Sequence, residues 1–248
     1  MDPNAPVKKQ RSPLFYIAIG CGGLLVLMMI FGLIALVAAV RCGQKMAAGI
    51  TDPSAKAENV KKMLGATPVG YFPVLTFSIP MMMEMALLGD KAPPEDGGFG
   101  DFERGFMYFR VIATEQSAHA QDFFDGKSSD TSALRSSGVN VDAKDVLKRG
   151  TTKTSGGTVV KYVVTRGTME MQGGQRRRRG DDGMNAKPGL NTLMFFVCPD
   201  DTSAVRVGVW MMPDPSAETP ADKLDLIGTV GDEEEIATFL KPLTPCGK

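Results

Sequence analysis

The chain has 248 residues and no net charge, because 28 lysines and arginines balance 28 aspartates and glutamates, and 43% of its residues are hydrophobic. This composition is typical of a folded globular protein and excludes a wholly disordered chain. Four cysteines in a chain of this length are too few for a disulfide-dense scaffold. A single apolar run reaches bilayer length, which excludes a multi-span transporter.

That run, residues 14–40, contains no charged residue in its 27 positions. As a helix it would be about 40 Å long, which exceeds the hydrocarbon core of a bilayer at about 30 Å. We therefore expect a transmembrane helix and a single-pass membrane protein. A cleaved signal peptide is the competing interpretation, and Val37-Ala38-Ala39 would suit a signal peptidase, but such peptides have apolar runs of only about 7–15 residues.

Basic side chains flank the span almost equally, so they give only a small preference for one orientation. The head, residues 1–13, clusters its charges close to the apolar run, and a long C-terminal domain is translocated largely regardless of its charge. We expect a basic cytoplasmic head, a signal anchor in the inner (cytoplasmic) membrane, and an extracytoplasmic soluble domain. Gly32, Ala35 and Ala39 share one helical face, which indicates either a homodimer seam or an ordinary monomeric anchor rich in small residues.

Residues 41–51 have the composition of a juxtamembrane linker, and residues 52–248 form the predicted soluble domain. Asp52 and Pro53 supply an N-cap and a first helical residue, and Gly65 supplies a C-terminal stop. Alternating apolar residues and turn signals then predict the remaining elements. These are strands within 71–88 (two, or one bent at Pro80), 105–113, 146–153, 158–165, 167–172, 192–197 and 204–211, and helices at 114–124 and 232–240.

This order of elements, with hairpin-length connections, is that of an α+β domain and not of a regular parallel α/β sheet. We expect one domain with an antiparallel sheet of roughly six to eight strands and with helices packed on one face.

The cysteines near the C-terminus report on the compartment. In an oxidising compartment Cys198, at a strand end, and Cys246, after the last helix, are the predicted disulfide partners. Two unpaired thiols are the alternative, since sequence spacing does not establish bonding distance.

Methionines cluster at Met81, Met83 and Met85. Thioether sulfur is a ligand that Cu(I) prefers, so this cluster is the one copper site that the sequence offers. Strand alternation places the three side chains on one face with apolar neighbours, where methionine commonly fills gaps in a core. We favour core packing, and we predict no cofactor and no other metal site.

A run of four arginines, Arg176, Arg177, Arg178 and Arg179, lies in a glycine-rich stretch. Such a loop is suited to contact anionic headgroups or an acidic partner, although a solvated loop tip has the same composition. Aromatic residues that would stack on bases are not interleaved with the arginines, so nucleic acid is not an expected partner.

No nucleotide-binding loop, nucleophile elbow or zinc spacing occurs in the sequence. The sequence therefore favours a binding or scaffold domain, an accessory component of a bacterial envelope assembly with a protein partner there, over an enzyme. An anchored enzyme with an unfamiliar site and a methionine-based copper or small-molecule binder are the alternatives.

Overall fold

The computed structural model describes residues 48–79, 82–94, 102–135, 140–170 and 189–247, which all belong to the unit Met46–Lys248. The predicted head, the predicted transmembrane segment with its Gly32, Ala35 and Ala39 face, and the arginine run lie outside the described residues. Within these ranges, no helix is both long enough and apolar enough to cross a bilayer.

Seven antiparallel strands form one sheet in the order β1-β2-β3-β7-β6-β5-β4. Two consecutive meanders, β1 to β3 and β4 to β7, meet where β3 pairs with β7, and β1 and β4 form the two edges. The strands are β1 Phe72–Ile79, β2 Met83–Gly89, β3 Gly105–Ile112, β4 Asn140–Lys153, β5 Val159–Glu170, β6 Gly189–Val197 and β7 Ala204–Pro213.

The described helices are α1 Pro53–Leu64, α2 Glu115–Phe124, α3 Ser132–Arg135 and α4 Glu233–Leu240, with a 3-10 turn at Ala221–Lys223. Asp52 caps α1 by accepting a hydrogen bond from the Ser54 backbone N–H at 2.9 Å. Asp232 caps α4 in the same way, through the Glu234 N–H at 3.0 Å. The cap at Asp52 agrees with the sequence-based expectation, whereas Asp232, which was expected to be the first helical residue, is the N-cap.

The α+β class is confirmed, but the expectation that helices cover one face of the sheet is wrong. The first core cluster joins α1 and α4 to even-numbered strand residues such as Phe106 and Trp210. The second joins α2 and α3 to odd-numbered residues such as Val163 and Val207. The central strands β6 and β7 are buried along nearly their whole length, so both of their apolar faces need cover.

The second half of the sheet also differs from the expectation in its strand limits. Two strands were predicted at 158–165 and 167–172, but β5 is continuous from Val159 to Glu170. Gly167 is buried and pairs with Ala143 of β4 and with Gly189 of β6. Strand β4 begins at Asn140, earlier than its polar sequence indicated. An edge strand is less completely covered than a central strand and contains more charged residues. The apolar alternation that would identify it in the sequence is therefore weaker.

Residues 48–51 are helical and pack on β1, so the domain begins before Asp52. The Gly49 carbonyl accepts a hydrogen bond from the Thr76 hydroxyl at 3.2 Å, and Asn59 Nδ2 donates to the same hydroxyl oxygen at 3.0 Å. A Cβ at position 49 would lie 2.5 Å from the Thr76 carbonyl oxygen, so only glycine allows this approach. The predicted linker is therefore partly a structural element of the fold.

Candidate functional site

An open cleft of about 820 Å³ lies on the α1/α4 face, at the end of the sheet where β1 begins. Its volume is in the range of small-molecule sites, about 300–1,000 Å³. The loop between α1 and β1, the start of β3, helix α4 and the segment after α4 form its walls. The lining residues are Pro68, Val69, Gly70, Tyr71, Asp90, Arg104, Ser155, Trp210, Glu235, Thr238, Phe239, Lys241, Pro242 and Thr244.

Three aromatic side chains form the floor of the cleft. The rings of Trp210 and Phe239 are stacked, with centroids 4.4 Å apart and an interplanar angle of 15°, and Tyr71 meets Phe239 edge-on at 5.1 Å. Trp210 Nε1 donates a hydrogen bond of 2.6 Å to the Tyr71 hydroxyl oxygen. Trp210 is only 2% exposed, and this hydrogen bond satisfies its buried indole N–H.

Burial raises the pKa of Tyr71 to about 12. The phenol is therefore neutral across the physiological range and retains its proton for a further hydrogen bond while it accepts one from Trp210. The floor thus combines flat apolar surface with one hydroxyl donor.

Charged residues at the rim hold the loops around the cleft. Arg104 Nη2 donates to the Gly228 carbonyl at 2.8 Å, and its Nη1 lies 3.9 Å from Glu235 Oε2. The Asp90 carboxylate accepts hydrogen bonds of 3.0 Å from the backbone N–H groups of Glu103 and Arg104. About one third of the Arg104 side chain is exposed, and Glu235 partly offsets its positive charge at the rim.

The wall after α4 is tied to two other parts of the fold. The Thr244 N–H donates to the Leu64 carbonyl at the end of α1, at 2.7 Å, and the Ser155 N–H donates to the Lys241 carbonyl at 3.1 Å. Gly65 makes this approach possible, because its φ is +81° and a Cβ there would overlap the Thr244 side chain. The α1 C-terminus therefore positions the wall directly.

A disulfide joins Cys198 to Cys246, with 5.4 Å between their Cα atoms and 48 residues of sequence separation. Of the two alternatives left by the sequence, the structure contains the bonded one. The bond connects the end of β6 to the segment two residues beyond Thr244, so it holds the cleft wall against the sheet.

The methionine cluster lies only partly in the described residues. Met83 and Met85 belong to β2 and are half-buried on the α2/α3 face, where Met85 packs against the second core cluster. Met81 lies outside the described residues. Across the described ranges, no three His, Cys, Asp or Glu side chains are grouped closely enough to hold a metal ion.

A second polar cluster lies on the same face at the opposite end of the strands. Asp201 forms an ion pair with Arg206, which is 5% exposed, and lies 3.5 Å from Arg110 Nη2. Arg110 in turn lies 3.9 Å from Glu84. Hydrogen bonds from Arg206 and then from Ser203 hold the pKa of Asp201 well below its ordinary value. Each charge has an opposite partner, so the cluster closes the β6–β7 hairpin without forming an open ligand site.

Sequence reasoning did not find the cleft. Its floor depends on a contact between Tyr71 and Trp210, which are 139 residues apart. The one available signal was the single tryptophan of the chain, which lies in a mostly apolar strand. Comparisons with protein-family models, curated proteins and solved structures found no match to this chain.

Proposed function

We propose that this protein is a single-pass, membrane-anchored binding protein whose folded domain lies outside the cytoplasm and takes its ligand in the aromatic cleft. The observation that carries the proposal is the Cys198–Cys246 disulfide, because structural disulfides form and persist in oxidising compartments. The apolar segment 14–40 supports an anchor in the inner membrane. An accessory role in a bacterial envelope assembly, with a protein partner, suits this topology.

Binding is favoured over catalysis because of how the cleft is built. Its floor is aromatic, and its rim charges Arg104 and Asp90 are held by protein hydrogen bonds. Apolar clefts with a few fixed polar groups are the usual form of ligand sites. The partly exposed guanidinium of Arg104 would favour a ligand that joins a flat apolar group to an anionic one.

The compartment is tested by thiol labelling of the full chain in which Cys21 and Cys42 are replaced by serine. A membrane-impermeant maleimide is added to cells with a permeabilised outer membrane, with and without reduction. We expect no labelling before reduction and labelling of Cys198 and Cys246 after it. If the cysteines are labelled only after lysis of the inner membrane, and are labelled then without reductant, the domain lies in the cytoplasm and the proposal is refuted.

The cleft is tested with 4-bromobenzoate, an aromatic carboxylate whose bromine quenches the fluorescence of a neighbouring indole. Trp210 lines the cleft but is only 2% exposed, so the expected quenching is partial. Trp210 is the single tryptophan of the chain, so its emission in full-length protein held in phosphatidylcholine nanodiscs reports on the cleft floor. We expect saturable quenching that Thr238→Glu abolishes, since Thr238 lines the cleft. Ala237→Glu, the neighbouring exposed position on α4, is the matched control and should retain the quenching. Equal, non-saturable quenching of all three proteins would remove the cleft from the proposal.

A further inference from the structure

The two edges of the sheet differ sharply in charge. Strand β4 has six charged residues between Asn140 and Lys153, and two register shifts interrupt its pairing with β5. Charges and bulges of this kind are how proteins protect an exposed edge strand in water. On the other side, the sequence from Gly65 to Met83, which contains β1, has no Asp, Glu, Lys or Arg at all. The β1 edge thus lacks charged residues, and its protection is limited to Pro73 and one register shift between Pro73 and Leu75.

Exposed apolar side chains are concentrated on the same edge. Seven large hydrophobic residues are exposed in the described part of the chain. Four of them flank or belong to β1, and we call these four the apolar edge: Ile50 at 44%, Val69 at 96%, Phe72 at 43% and Met82 at 60% exposure. The four are distributed along the length of this edge, with Val69 and Phe72 at the start of β1 and Met82 in the turn after its end.

The chain also enters the folded domain at this edge. The helical residues 48–51 pack against Thr76, in the middle of β1, through the Gly49 carbonyl. Seven residues, 41–47, separate Ala48 from the end of the apolar segment. A chain spans at most about 3.6 Å per residue, so these seven reach no farther than about 25 Å.

We infer that the apolar edge rests on the lipid bilayer, in its interfacial region. The inference depends on the proposed membrane anchor, because the short connection is what keeps this edge close to the lipid surface. A tether raises the effective concentration of the surface at the edge, so a modest apolar area is enough for lasting contact. Interfacial apolar side chains lie about 5–10 Å into the boundary between headgroups and acyl chains. The lack of charge from Gly65 to Met83 suits this apolar side of the interface.

The experiment uses the full chain reconstituted into phosphatidylcholine vesicles, with Met82→Trp as the probe of the apolar edge. Val146→Trp is the matched control, since Val146 is 44% exposed on the opposite edge strand. Half of each preparation contains lipid with brominated acyl chains, which quench tryptophan on contact. The emission of the parent protein, due to Trp210 alone, is subtracted. Zwitterionic lipid ensures that basic side chains add no attraction of their own.

We expect brominated lipid to remove about half of the emission added at position 82, as for an indole at interfacial depth, and to leave the emission added at position 146 unchanged. The inference would be overturned if the protein floats with the vesicles but brominated lipid quenches positions 82 and 146 equally, or quenches neither. The membrane anchor would be unaffected by that result. A blue shift at position 82 that grows with protein concentration and ignores bromination would assign the edge to a second copy of the chain, and would also overturn it. Failure of the parent chain to float with the vesicles would overturn the anchor and this inference together.

Discussion

At the scale of single residues, the half-buried Tyr71 and the buried Tyr108 have hydroxyl environments that differ in a way that stability measurements can resolve. The Tyr71 hydroxyl accepts a hydrogen bond from Trp210 at 2.6 Å. The Tyr108 hydroxyl is fully buried near Arg206 and makes no hydrogen bond of ordinary geometry. A buried polar group without a partner costs free energy, whereas a satisfied one contributes modestly.

Tyr71→Phe and Tyr108→Phe should therefore have different effects on the free energy of unfolding. Removal of the Tyr71 hydroxyl leaves the Trp210 N–H without its acceptor, at an expected cost of about 1–2 kcal/mol. Removal of the Tyr108 hydroxyl should be neutral or stabilising, because no good hydrogen bond is lost. Urea denaturation of the two variants beside the parent protein measures both changes. Equal destabilisation by both would mean that Tyr108 has a partner after all.

The Asp201 carboxylate predicts how stability changes in acid. Its folded-state pKa is depressed below the ordinary value of 3.8, first by the hydrogen bond from Arg206 and then by that from Ser203. A depressed pKa means that the unfolded chain binds the proton more readily than the folded one. The contribution of Asp201 is therefore complete above about pH 5 and is lost as the pH falls through 4 toward the folded-state pKa.

Denaturant unfolding between pH 2 and pH 6 tests this expectation. The parent protein should lose stability on acidification more steeply than Asp201→Asn, which has no proton to gain at this position. Asp200→Asn is the neighbouring control and should retain the slope of the parent protein. If Asp201→Asn loses stability with falling pH as steeply as the parent protein, the ion pair with Arg206 does not control the stability of the protein in acid.

At the scale of secondary-structure elements, the end of α1 shows how a sequence signal becomes part of a site. Gly65 was expected to stop the helix, and it does so at a φ of +81°. The structure adds that Thr244 packs directly on this glycine, so the stop also positions the cleft wall. Gly157, in the β4–β5 turn, has nearly the same φ of +82° but open space around it.

Gly65→Ala and Gly157→Ala separate these two roles of glycine. Both substitutions impose a left-handed conformation on alanine, at about 1–2 kcal/mol. Gly65→Ala adds a steric conflict with Thr244, and overpacking typically costs about 1–3 kcal/mol more. Thermal unfolding should therefore show a clearly larger loss for Gly65→Ala, and 4-bromobenzoate quenching of Trp210 should weaken in that variant alone. Equal losses would show that Thr244 moves away without cost.

At the scale of the whole molecule, the disulfide connects the C-terminal segment to the sheet across a long stretch of sequence. It closes a loop of 48 residues, which corresponds to about 4 kcal/mol in the chain-entropy model. This loop contains β7 and α4, and hence most of the cleft floor and one wall.

Reduction should therefore lower the midpoint of denaturant unfolding and expose the C-terminal segment to proteolysis. The Cys198→Ser, Cys246→Ser double variant should match the reduced protein and should not respond to reductant. An unchanged midpoint on reduction would mean that packing of α4 alone holds this part of the domain.

The sequence by itself determined what depends on neighbouring residues. The N-cap and glycine stop of α1, the positions of most strands and the α+β class follow from local pattern, and they occur in the structure. The single anchor, its orientation, the homodimer seam at Gly32, Ala35 and Ala39, and the arginine run remain predictions, since they lie outside the described residues.

Tertiary structure alone decided which distant residues meet. Predominantly apolar strands such as β6 and β7 look alike in sequence whether one or both of their faces are covered, so the presence of helices on both faces could not be read from them. The continuity of β5 through Gly167 is evident only once its partners Ala143 and Gly189 are known. The Tyr71–Trp210 contact and the Cys198–Cys246 bond join residues that are 139 and 48 positions apart. Such contacts are set by the pairing order of the whole sheet, and no local pattern encodes that order.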